Sequence, residues 1–97
     1  MKYYVLNTQG KPVHEPDRFK WEDWFSQTEP RIARDEIQDT VVSTLFLGHA
    51  HNDPPTLWET MIIGGQLDQV CDRCGGTIEQ AEAMHARMVE RVQALQS

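Results

Sequence analysis

The stretch VVSTLFLGHAHNDPPTLWETMIIG, from Val41 to Gly64, holds two apolar runs around a polar loop. Val41 to Leu47 and Thr56 to Ile63 are rich in β-branched and aromatic residues, and each has the length of a strand. The stretch contains no Lys or Arg and only two acids, Asp53 and Glu59. It reads as the central hairpin of a sheet, expected to be buried on both faces. Alternation places Val42, Thr44 and Phe46 on one side of the first strand, with Ser43, Leu45 and Leu47 on the other. On the second strand Leu57, Glu59, Met61 and Ile63 alternate with Trp58, Thr60 and Ile62. The intervening loop, Gly48 to Pro55, is longer than a two-residue turn. A long loop held by rigid strands is a common carrier of function.

Upstream of the hairpin, Lys2 to Leu6 predicts a strand, Asn7 to Gly10 a turn, and Lys11 to His14 a short return that Pro12 confines to an edge. Asp17 suits the N-cap of a helix whose Trp21, Trp24 and Phe25 share one face. Pro30 ends it, because it disfavours helical geometry in Glu29. Arg31 to Ile37 fits either a strand with one polar face or a helical turn. Gln38, Asp39 and Thr40 read as the turn into the hairpin.

Downstream, Gly64 and Gly65 break the second strand. Gln66 to Arg73 predicts a further edge strand through Leu67 and Val70, and Cys74-Gly75-Gly76 a turn. Thr77 and Gln80 form a capping-box pattern. Behind them Ile78, Ala81, His85, Met88, Val89 and Val92 make one helical stripe, extending to about Leu95. The expected architecture is a single α+β domain over residues 1–97: a small antiparallel sheet built on the central hairpin, packed against a long C-terminal helix and a short N-terminal helix.

Ninety-seven residues suffice for one modest core. Fifteen acids against nine bases give a net charge of −6, which disfavours a nucleic-acid partner, since phosphate binding needs clustered Lys and Arg. No apolar run approaches the ~20 residues of a membrane span, and the N-terminus lacks the apolar core of a signal peptide. Two cysteines with only two residues between them cannot staple distant parts of a fold. A soluble, reducing, cytoplasmic setting is therefore expected.

Several residues could carry chemistry. Cys71 and Cys74, in the order Cys-Asp-Arg-Cys-Gly-Gly, resemble a zinc knuckle. His49 and His51 would complete the four ligands of a structural zinc site. The plainer reading is a reduced, unligated thiol pair beside two loop histidines, so no cofactor is expected. His49-x-His51-x-Asp53 matches the metal-binding core of metallo-β-lactamase-type hydrolases. Pro54 stands where their next histidine belongs, and the fold they need is over twice this length, so the match is chance. A redox dithiol would want a helix starting at the first Cys; here the helix starts at Thr77, after both.

An acid/base pair is a further candidate. Glu59 interrupts an apolar strand and His85 interrupts the helix's apolar stripe, so the two would meet if the helix packs on the Glu59 face. The plainer alternative is a buried polar pair that fixes helix register. The loop residues His49, His51, Asn52 and Asp53 are the candidate binding set. The aromatic residues have core spacing, with no basic cluster interleaved to make a base-stacking platform.

The run VSTLFLGHAHNDPPTLWETMIIGG, preceded by W-x-x-W-F and followed by A-x-x-x-H-x-x-M-V, resembles a family of small uncharacterised bacteriophage and prophage proteins. Their pattern runs V-S-T-x-F-L-G, then E-T-M-x-x-G-G, then an R-Y-x-T turn into a helix carrying G-H. The likeness spans Trp21 to Val92. Cys74 replaces the aromatic after Arg73, and Met84 replaces the glycine before His85. The resemblance implies a phage-related origin and no particular activity.

Three functions fit these observations. The first is a small acidic phage-type accessory protein acting by protein–protein interaction on a host or bacterial protein, for instance as an inhibitor of a host or defence factor. Self-association is also compatible with it. The second is a small hydrolase or transferase using Glu59, His85 and the His49–Asp53 loop. The third is a zinc-stabilised binding module.

Overall fold

The computed structural model describes residues 1–96. The chain is α+β, with two antiparallel sheets and two helices. Strands β1 (Lys2–Leu6) and β2 (Pro12–His14) pair across the Asn7–Gly10 turn, with Val5 opposite Val13. Helix α1 (Arg18–Gln27) follows. The Asp17 carboxylate caps it, accepting from the backbone N–H groups of Phe19 and Lys20.

The larger sheet has the order β3 (Arg31–Ile37), β4 (Thr40–Phe46), β6 (Thr56–Ile63), β7 (Cys71–Gly75). The two central strands are the hairpin, registered with Thr44 opposite Thr60 and Phe46 opposite Trp58. Between them β5 (His49–Ala50) leaves the hairpin and pairs with β1, Tyr3 lying opposite His49. The loop between the hairpin strands thus joins the two sheets.

Helix α2 (Ile78–Gln96) lies along one face of the larger sheet. Thr77 and Gln80 close a capping box: the Gln80 N–H donates to Thr77 Oγ1, and the Thr77 N–H donates to Gln80 Oε1. From the helix, Ala81, Met84, Met88 and Val92 descend onto Phe46, Trp58, Val42 and Ile62, all buried. Trp24 meets Phe46 edge-on at 6.1 Å, so α1 plugs the open end of this same core.

Two glycines are needed where they stand. Gly64 has φ +87°, and a Cβ there would sit 2.5 Å from the Asp39 carbonyl oxygen, so only Gly lets β6 end against the β3–β4 turn. Gly48 has φ +77° and lies against Trp21 and Phe25, which fixes how α1 meets the loop.

Three expectations are corrected. The hairpin is buried on one face only: Val42, Thr44 and Phe46 are inside, while Val41, Ser43 and Leu45 stay partly exposed. Only one long helix is available to cover the sheet, and it takes the face bearing Trp58. Residues 66–70 form turns rather than strand, and the edge strand begins at Cys71 and runs through Cys74 and Gly75, which the sequence reads as a turn. The expected antiparallel sheet on the hairpin is present with both helices, and beside it a second, three-stranded sheet forms because His49 and Ala50 pair back onto β1. Leu95, at the end of the predicted stripe, is exposed, while Met84 is fully buried.

Candidate functional site

Two features bear on function: a polar relay sealed under α2, and the uncovered face of the larger sheet. The relay begins with His85, which α2 points into the sheet. Its Nδ1 lies 2.7 Å from Thr44 Oγ1, and its Nε2 lies 2.7 Å from Asp35 Oδ2. Thr44 Oγ1 is also hydrogen-bonded to Thr60 Oγ1 across the hairpin. Asp35, on β3, is the solvent-exposed end; both threonines are fully buried.

The donors can be assigned in order. A carboxylate only accepts, so Nε2 carries a proton and donates to Asp35. Nδ1 of the neutral ring then accepts from the Thr44 hydroxyl, and Thr44 accepts from Thr60. Every buried group is satisfied in this one direction. An imidazolium would donate from Nδ1 and reverse Thr44, and the Thr60 proton would then need a different acceptor.

Carboxylate, imidazole and hydroxyl in a row is the order of a nucleophilic triad. Here the hydroxyl belongs to Thr44, 0% exposed beneath the helix, where no substrate carbonyl can reach it. The clefts along α2 open elsewhere. One of about 260 Å³ lies between the β3–β4 turn and the end of the helix, lined by Asp39, Gly65 and Val92 among others. The relay therefore joins α2 to β3, β4 and β6 and fixes their mutual register.

The structure separates the residues expected to act together. Glu59 faces away from α2, and its carboxylate accepts from Arg73 Nε at 2.8 Å; it does not meet His85. The reason is strand parity: Trp58 and Thr60 face the helix, so Glu59 cannot. His49 sits in β5 beside the edge of the Trp21 ring. His51, Asn52 and Asp53 are exposed, with the Asn52 side chain bonded to Thr56 at the base of the loop. That loop is at the end of the hairpin, away from both Glu59 and His85.

Cys71 lies opposite Met61 and Cys74 opposite Trp58, so the two thiols are on opposite faces of β7. Three residues of strand separate their Cα atoms by about 10 Å, beyond the ~7 Å a disulfide spans. Burial pushes the Cys74 thiol above its usual range; the Asp72 carboxylate adds to this and the Arg87 guanidinium opposes it. Among the described residues, no three His, Cys, Asp or Glu side chains gather in a group that could hold a metal ion.

The uncovered face can be read row by row from the register. Glu36, Val41 and Ile63 form one row across β3, β4 and β6. Arg34, Ser43, Met61 and Cys71 form the next, reaching β7. Arg31, Leu45, Glu59 and Arg73 form the third. The middle is apolar, with Ile63 47% exposed and Val41, Leu45 and Met61 part-exposed. Arginines stand along both edges. Three Arg against two Glu make this face net positive, although the whole chain carries −6.

Asp35, Thr44 and Thr60 were not among the residues singled out from sequence. The available signal was a Thr at the inward position of each hairpin strand, at the same level as a histidine in the helical stripe. Asp35 was hidden because Arg31–Ile37 fitted a strand or a helical turn equally.

These features define a small α+β domain with an apolar core, one polar relay beneath α2 and one open sheet face. Compared with protein-family models, curated proteins and solved structures, the chain matches none.

Proposed function

We propose that this chain acts by protein–protein contact through the open face of its larger sheet. The observation that carries the reading is the apolar centre of Val41, Leu45, Met61 and Ile63, bounded by arginines and covered by neither helix. An apolar patch rimmed by polar groups is the usual mark of an interaction site. Burial of Thr44 supports it from the other side, since it keeps the one hydroxyl hydrogen-bonded to His85 away from any substrate. The likeness to small phage and prophage proteins supports an accessory role inside a bacterial cell. In that setting a host or bacterial protein, such as a defence factor, is the partner class.

A photo-crosslinking amino acid at Met61, introduced in living bacteria, tests this. Protein adducts are expected from position 61 and not from the α2 surface position Glu82. Absence of adducts at 61, or equal adducts at both, overturns the reading.

A further inference from the structure

From the charge pattern on the open face we infer that it docks a second copy of this chain, sheet against sheet about a two-fold axis. This rests on the reading above that the face is a contact site, and names a second copy, in place of a host protein, as what covers it. Two sheets stacked face to face align within about 30°. A two-fold axis in the plane between them runs either across the strands or along them.

The across-strand axis passes over the row of Arg34, Ser43, Met61 and Cys71. It lays the first row of one copy on the third row of the other. Glu36 then lies over Arg31 of the second copy, twice by symmetry, and Val41 over Leu45. Met61 and Arg34 each meet their own counterparts at the axis, and Ile63 lies over Glu59 of the second copy. The two side chains of each Glu–Arg pair are long enough together to span the ~10 Å between packed sheets. The along-strand axis instead lays β3 over β7 and opposes Arg31 to Arg73, a like-charge contact. The across-strand axis gives two Glu–Arg pairs against one Arg34–Arg34 contact, whereas the along-strand axis gives two Arg–Arg contacts and no attractive pair, so the charges favour the across-strand axis.

Within one copy these groups are only loosely engaged. Arg31 lies 3.9 Å from Glu29, and Arg34 lies 3.4 Å from Glu36, all well exposed. They can therefore turn to a partner at small cost. Four strands by three rows make a flat area of about 400 Å² per copy. That is about half of the ~800 Å² per partner of a standard interface, so the dimer is a weak and reversible one.

Sedimentation equilibrium on the full chain reads this directly. The wild-type chain is expected to pass from monomer to dimer as concentration rises. Arg31→Glu and Glu36→Arg should each weaken the dimer by about tenfold or more, by opposing like charges. The double variant R31E/E36R should recover it, and an equimolar mixture of the two single variants should also pair better than either alone. Both positions are exposed at a sheet edge, and recovery in the double variant or the mixture shows that the chains are folded. A wild-type chain that stays monomeric up to about 1 mM, where even a weak dimer would be populated, overturns the inference, as does a double variant that stays weak. Arg31→Glu strengthening the dimer also overturns it, because that is the signature of the along-strand axis. A monomeric chain whose position 61 still crosslinks to a different protein removes the second copy but leaves the contact reading standing. No adduct at 61 removes both.

Discussion

The imidazole of His85 and the hydroxyl of Thr44 lie 2.7 Å apart across the helix–sheet interface, 41 residues apart in sequence. Because Thr44 also receives Thr60 and His85 also reaches Asp35, removing the middle of the relay costs more than removing its end. Thr44→Val leaves both Nδ1 and the Thr60 hydroxyl without partners, at about 1–3 kcal/mol each. Thr60→Val leaves the Thr44-to-His85 bond intact and should cost about 1 kcal/mol. The double variant should cost less than Thr44→Val alone, since Thr60 then has no hydroxyl to orphan. Urea unfolding of the three variants checks the order; additive effects would show that the hydroxyls do not communicate.

The same relay fixes a tautomer. The neutral His85 ring should carry its proton on Nε2, donated to Asp35. Ring ¹⁵N chemical shifts in the folded protein distinguish the two forms. A signal from the Nδ1–H tautomer would mean that Thr44 accepts from the ring, with the hydroxyl order reversed.

The two central strands, both helices and their caps were legible because each rests on local signals: apolar alternation, Asp17, Thr77 with Gln80, and a long helical stripe. What the sequence hid was non-local. Nothing near His49 and Ala50 says that they pair with Lys2 and Tyr3, nearly fifty residues upstream. The apolar content of the hairpin suggested burial on both faces, although Val41, Leu45 and Ile63 belong to the side that no helix covers. Glu59 and His85 each stood out as a polar residue in an apolar run. Parity, readable in the alternation itself, already put Glu59 on the face opposite Thr60; what the sequence left open was which face the helix would choose.

The hairpin core should be the least tolerant part of the chain. Phe46 is 1% exposed, packed on Trp58 with ring centroids 4.8 Å apart and on Trp24 beyond it. Phe46→Ala leaves a cavity among rings that cannot all collapse, at about 3–5 kcal/mol. That is a large part of the stability of a domain this size. A change in the urea midpoint equivalent to less than ~1 kcal/mol would contradict the burial.

The capping box at α2 gives a smaller, separable effect. Thr77→Ala should cost about 1 kcal/mol by freeing the Gln80 N–H. Gln80→Ala should cost less, since it frees only the Thr77 N–H at the helix entrance. Thermal midpoints of the two variants, ranked in that order, check it; a neutral Thr77→Ala would place the helix start elsewhere.

The cysteines should behave as two unrelated thiols. Cys71 is exposed on the open face, whereas Cys74 faces α2 with its ionisation pushed upward by burial and by Asp72, against Arg87. The thiolate is the reactive form, so iodoacetamide at about pH 8, below the ordinary thiol value, should alkylate Cys71 first. The shift also has a sign for stability. A raised value in the folded state means that the protonated thiol is favoured there. Its contribution is therefore fully present below the unfolded thiol's value and is lost as pH rises through the folded one. Cys74→Ser should accordingly flatten the alkaline decline in stability. Mild oxidation should form no bond between the two, because β7 holds them on opposite faces. Mass spectrometry of the oxidised monomer checks this: a loss of two hydrogens within one folded chain would mean that β7 is not a continuous strand from Cys71 to Gly75.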